Sequence, residues 1–275
     1  MVKKIEVIVC SLFAVMLLSC NYVFAEYQKA QEYRELLTSD TYLIEYTEMD
    51  ENKNEDLKIG KIMMRDGNTY MSAERLISPN KFGFWGGLEQ KVSNNPIAFY
   101  EEGKYYSFTN DDHALCVTEE VMKQKNYYIG VDWHNVLRAL SVPNMFLPIM
   151  EYNKFNEKDE NISKPVYVNS RTETIKKQIY NIDEYSSDVK NVAGRVMYKL
   201  KYSYYYNDKG LTWIRTIFID NNGNEKIKGQ IKINKIVNVL PDKMYKWKDK
   251  IKVTDLGEGD INELLGNNIH KKVEK

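Results

Sequence analysis

The chain has 275 residues, 43% of them hydrophobic and 28% charged, with 39 basic and 39 acidic side chains. That balance offers no basic footprint for nucleic acid, and charges of both signs are interleaved along the chain. Cys10 and Cys20 lie near the N-terminus and Cys116 stands alone beyond Ala25, which excludes an intramolecular disulfide and leaves packing to hold the fold.

The first 25 residues read as an export signal. Lys3 and Lys4 form a positive n-region, and Val7 to Leu18 is an apolar core too short for a bilayer span, which needs about 20 residues. Val23 and Ala25 occupy the small-residue positions that a signal peptidase reads, so one cleavage falls before Glu26. A second reading competes with it. Leu17-Leu18-Ser19-Cys20 resembles a bacterial lipobox, in which residues 1–19 are removed and Cys20 is acylated. Each buried methylene of an acyl chain contributes roughly 0.8 kcal/mol to membrane partitioning, so Cys20 would tether the protein peripherally. Both readings place the mature chain outside the cytoplasm, in a periplasm or at the cell surface. Loss of residues 1–25 leaves a net charge near −1 and 250 residues, expected to form one domain over 26–266 with a polar tail at 267–275.

The predicted elements begin with a helix at Glu26 to Thr38, where Tyr27, Ala30, Tyr33 and Leu37 share one face. Strands follow at Thr41 to Met49, Leu57 to Arg65 and Asn68 to Ile77, the last two joined by an Asp66-Gly67 hairpin signal of type I′. Ser78 to Gly87 is a glycine-rich loop carrying Phe82, Phe84 and Trp85. Ile97 to Tyr100 and Lys104 to Thr109 form a further hairpin across Glu101-Glu102-Gly103, and Ala114 to Thr118 is strand-like. Asp132 is an N-cap for a helix at Trp133 to Ser141, which Pro143 ends. Asn144 to Phe155 is an apolar run interrupted by Pro148. Short strands are expected at Lys164 to Val168 and Glu173 to Tyr180. Three longer ones are expected at Val196 to Tyr206, Leu211 to Asp220 and Lys226 to Ile236. In the last of these Ile227, Ile231 and Ile233 occupy one face and Lys226, Lys228, Gln230 and Lys232 the other, so one side packs on a core. A final strand is expected at Lys250 to Val253, and Asp260 to Glu263 forms a capping box.

No catalytic constellation, phosphate-binding glycine loop or nucleophile elbow is present, and the chain is read as a non-enzyme without cofactor or metal. His113, His134 and His270 form no metal-binding repeat, and Asp111-Asp112-His113 with Cys116 reads better as a polar turn than as a zinc site.

The order of elements, and above all Tyr204 to Val253 with its Asn-Asp-Lys-Gly turn and Val239-Leu240-Pro241-Asp242, resembles the LolA/LolB-like lipoprotein carriers of the bacterial envelope. The resemblance is topological and covers most of residues 26–266. It implies an α+β fold: a strongly curved antiparallel half-barrel whose concave face is covered by the N-terminal helix and by short helices. It further implies a cavity for a lipid or acylated protein, held by a carrier or sensor. Its lining would come from Phe82, Phe84, Trp85, Trp133, Leu137, Leu140, Met145, Phe146, Leu147, Ile149 and Met150. The same residues would equally close an ordinary core. The alternative function is an envelope binding module that meets glycan or protein through exposed Tyr202, Tyr204 and Tyr206.

Overall fold

A computed structural model describes residues 28–49, 58–77, 96–110, 112–123, 133–156, 160–241 and 245–256. The signal segment with Cys20, the loop with Phe82, Phe84 and Trp85, the N-cap Asp132, the capping box and the polar tail lie outside the described residues.

Helix α1 spans Gln28–Thr38, α2 Glu119–Lys123 and α3 Trp133–Leu140, followed by a 3-10 turn at Asn144–Phe146. The strands are β1 (Thr41–Met49), β2 (Lys58–Asp66), β3 (Thr69–Ile77), β4 (Ala98–Glu101), β5 (Lys104–Asn110) and β6 (His113–Thr118). They continue as β7 (Val166–Ile175), β8 (Gln178–Lys190), β9 (Val196–Asn207), β10 (Gly210–Ile219), β11 (Glu225–Val237) and β12 (Lys252–Asp255). All join one curved, unclosed sheet in the order β12-β6-β5-β4-β3-β2-β1-β11-β10-β9-β8-β7. Two meanders, β1 to β6 and β7 to β11, are therefore fused where β1 pairs antiparallel with β11, Ile44 lying opposite Ile236.

Strand alternation gives this sheet two different faces. On the inner face, Ile44, Met63, Ser72 and Ala98 stand in one cross-strand row. On the outer face the matching row is Leu43, Met64, Met71, Phe99, Tyr106 and Cys116. Helix α1 and the segment 142–150 bury the inner face of the second meander and of the adjoining β1, with Ala30, Leu37, Phe146 and Ile149 against Tyr46, Tyr202, Tyr204 and Ile231. Helix α3 covers the first meander, its Trp133, Val136 and Leu140 packing with Tyr70, Tyr100 and Phe155.

Tyr33 locks α1 in place. Its hydroxyl accepts the Leu211 N–H at 3.0 Å, and Lys29 Nζ donates to the carbonyls of Asn207 and Asp208 at 3.1 and 3.0 Å. The close approach requires glycine at 210, where φ is 111° and an added Cβ would lie 2.0 Å from the Tyr33 oxygen.

Several expectations are corrected. The final strand runs over Lys252–Asp255 and pairs parallel with β6, the one parallel pair among the described strands, instead of extending an antiparallel meander. To reach that edge the chain crosses the outer face, where Trp247 packs on Phe99, Tyr106 and Phe108 at ring separations of 4.7, 5.7 and 5.0 Å. The two short strands expected around 164–180 are really a long hairpin, because Lys176 and Lys177 adopt φ of 50° and 69° and turn the chain without glycine or asparagine. The β2–β3 loop is Gly67-Asn68, with positive φ at Gly67 alone (57°), which places glycine first as in a type II′ turn. Ile227 leaves the face it was expected to share with Ile231 and Ile233, because a bulge pairs Thr216 with Gly229 and Ile217 with Ile227; it is 40% exposed.

Candidate functional site

Between the two inner-face cores the sheet is not filled. A cleft of about 920 Å³ opens there, floored by Tyr46 and Met63 of the first meander and by Leu200, Tyr202, Thr216 and Gly229 of the second. Its roof is α3 and the chain that follows, which contribute Leu137, Arg138, Val142, Met145 and Phe155. The cleft exists because α3 contacts β3, β4 and β5 whereas the 3-10 turn contacts β10, leaving the β1–β2 and β10–β11 junctions between the two covers.

Side-chain amides hold the roof. Asn156 Oδ1 accepts the N–H groups of Val142 and Asn153 at 3.1 and 3.0 Å while its Nδ2 donates to the Val142 carbonyl at 2.9 Å. Asn153 Nδ2 donates to the Leu140 carbonyl at 2.8 Å. The end of α3 and the residues just after it are thus bonded to Asn153 and Asn156, 13 and 14 residues further on, which an irregular, partly buried backbone requires. Tyr204 adds a further tie, its hydroxyl donating to the Met145 carbonyl.

The cleft walls are charged on one side. Lys61 lies 2.7 Å from Glu48 and 3.4 Å from Glu74, a half-exposed triad worth little to stability. Arg138 and Lys228 line the same cleft and make no ion pair among the described residues. The Tyr202 hydroxyl is buried at the cleft floor and makes no well-formed hydrogen bond among the described residues, Ser187 being the polar group beside it. Burial pushes its phenol up to about 12.

The sequence-based candidates divide accordingly. Leu137 and Met145 line the cleft. Trp133 and Leu140 are 3% and 4% exposed within the α3 core, and Phe146, Leu147, Ile149 and Met150 are buried in the α1 core. Phe146 meets Tyr46 edge-on with ring centroids 5.4 Å apart. Phe82, Phe84 and Trp85 lie outside the described residues. The exposed-tyrosine expectation is overturned: Tyr202, Tyr204 and Tyr206 are 1%, 0% and 0% exposed, because their strand face is the one that α1 and residues 142–150 cover. Sequence reasoning missed Tyr46, Met63, Leu200 and Gly229. Alternation puts Tyr46 on one face with Tyr42 and Ile44, but the convergence of the four depends on the β1–β11 junction, about 190 residues apart in sequence.

No protein-family model matches the chain, and no curated protein does. Two solved structures show weak likeness. PNGF-II aligns at 12% identity and a TM-score of 0.30, over 82% of this chain but 32% of its own. A Parabacteroides distasonis protein described as a lipoprotein aligns at 9% identity and a TM-score of 0.25, over 73% of this chain and 97% of its own. The chain thus spans about a third of the length of PNGF-II. Among the described residues, no helix is long and apolar enough to cross a membrane, and no three His, Cys, Asp or Glu side chains gather as a metal site.

Proposed function

We propose that the chain is a non-catalytic protein of the cell envelope that holds a lipid, or the acyl group of a modified protein, between its curved sheet and the cover formed by α3 and residues 142–156. On this reading the sheet is a half-barrel of the LolA/LolB-like kind, its concave face is the helix-bearing one, and export follows from the N-terminal signal, with or without acylation of Cys20. The cleft of about 920 Å³ carries the proposal, being of the size that encloses a lipid-sized ligand. Its floor of Tyr46, Met63, Leu200 and Tyr202 and its roof of Leu137, Val142 and Met145 suit an acyl chain, at roughly 25 cal/mol per Å² of apolar area removed from water. Arg138 and Lys228 at the wall suit an anionic head group.

Organic extraction of protein purified from its native host, with mass spectrometry of the extract, tests the reading. Stoichiometric lipid that disappears from a Leu137→Glu variant of unchanged melting temperature is the expected result. Absence of lipid, together with failure of a dansyl-labelled fatty acid to bind the wild-type chain at micromolar concentration, overturns it.

A further inference from the structure

We propose that the outer face of the second meander carries a separate site for an acidic sugar unit, recognised by Trp213, Arg215, Tyr205, Tyr180 and the glutamines Gln178 and Gln230. The site goes beyond the lipid reading and lies on the other side of the sheet. Trp213 and Arg215 alternate with Ile214, which is buried in the inner core, so they face outward. Cross-strand register sets Trp213 beside Tyr205, and Arg215 beside Gln230. The Lys176-Lys177 hairpin closes one end, giving a groove of about 390 Å³ lined also by Ile175 and Lys176.

Three features select the ligand. First, aromatic surface is held ready: Tyr180 meets Tyr205 edge-on with centroids 6.2 Å apart, and Trp213 stays half-exposed in the middle of a strand. Flat aromatic faces of this kind stack on the C–H side of a pyranose ring. Second, the groove is cationic and its lining includes Arg215 and Lys176 but no carboxylate. The Arg215 guanidinium stacks 5.4 Å from the Tyr205 centroid and its Nε donates to Gln230 Oε1 at 3.1 Å. Among the described residues no carboxylate pairs with it, whereas nearby Arg171 is held by Glu173 and Glu184. A stacked, half-buried guanidinium with a free fork fits a planar carboxylate in two-point contact. Third, Gln178 and Gln230 bring side-chain amides to the rim; their Nε2 atoms donate to the Ile179 carbonyl and to Met49 Sδ, and each amide keeps a second N–H and an oxygen lone pair, the pairing that sugar hydroxyls need. A bare acyl chain would leave these polar groups desolvated without partners.

The test titrates the full chain with tetragalacturonate, with neutral maltotetraose as comparison, following tryptophan fluorescence and calorimetry. Saturable binding of the acidic sugar is expected, weakened by added salt. Arg215→Gln is expected to lose tenfold or more in affinity for tetragalacturonate, and Trp213→Ala likewise, with Gly229→Leu in the lipid cleft leaving it unchanged. If Trp213→Ala does not fold, Trp213→Phe with Arg215→Gln carries the comparison. No binding of tetragalacturonate at millimolar concentration, equal binding of maltotetraose, or an Arg215→Gln variant that melts and binds like wild type would each overturn the assignment. Loss of fatty-acid binding in Gly229→Leu with retained sugar binding separates this site from the cleft.

Discussion

Gly229 offers a way to fill the cleft without disturbing what surrounds it. It sits at the β10–β11 bulge opposite Thr216 and lines the cleft, and an added Cβ would meet no atom within 4 Å. Its backbone also lies outside the left-handed region, so a side chain brings no strain there. Replacing it by leucine removes unfolded-state freedom, which stabilises by about 0.4–1 kcal/mol, or roughly 1–4 °C for a chain of this size. The same side chain displaces about three methylenes of a bound acyl chain, at about 0.8 kcal/mol each. Affinity should then fall on the order of 50-fold. Thermal melting and titration with a dansyl-labelled fatty acid read the two effects separately. The expected pattern is a melting point equal to or above wild type with much weaker binding. A folded Gly229→Leu variant that binds the probe as tightly as wild type would show that the ligand does not occupy the cleft. A lower melting point would show that the bulge itself needs glycine.

Four further outcomes concern the fold. Exchanging Lys176-Lys177 for Asn-Gly should stabilise the chain by about 1 kcal/mol, since φ of 50° and 69° costs ordinary residues steric energy that Asn and Gly largely avoid; an unchanged urea midpoint would contradict this. Gly210→Ala should destabilise by about 2 kcal/mol or more, because the new Cβ collides with the Tyr33 oxygen, and Tyr33→Phe combined with it should recover part of the loss in denaturant melts. Stability should be flat to about pH 10 and fall above it. Burial pushes the phenols of Tyr42, Tyr105 and Tyr202 up to about 12 from an ordinary value of 10.0, so the native state holds protons that the unfolded chain releases between those values. Urea midpoints at pH 8, 9.5 and 11 check this, and equal midpoints at all three would refute it. The Cys116 thiol, buried and pushed up to about 11, should resist iodoacetamide at pH 8 in the native state and react once urea unfolds the chain.

Much of the local structure was legible in the residues because strand and turn signals act over a few positions. Alternation in Thr41–Met49, Val196–Asn207 and Gly210–Ile219 located those strands to within a residue or so, and helical spacing of Ala30, Tyr33 and Leu37 located α1. Failures came where the local signal was weak or contradicted. Lys176-Lys177 lacks turn chemistry, and β8 carries Asp183, Glu184, Ser186, Ser187 and Asp188, so its pattern of polar residues hid a thirteen-residue strand. The Gly229 bulge reversed the face of Ile227, since inserting one residue into a pattern of period two exchanges the sides.

From its own sequence this chain determined that no disulfide beyond Ala25 can brace it, that its charges offer no basic footprint, and that most of its mass is antiparallel strand with one helix ahead of it. These follow from composition, cysteine count and short-range periodicity. Tertiary structure alone decided that β1 joins β11, that β12 returns in parallel beside β6, and that Tyr202, Tyr204 and Tyr206 of β9 are interior. It also decided the cleft, because Tyr46, Met63, Leu200 and Gly229 meet only after two meanders have been fused. Pairing between strands so distant in sequence is set by which faces the whole chain can bury at once, and no local window of residues contains that information.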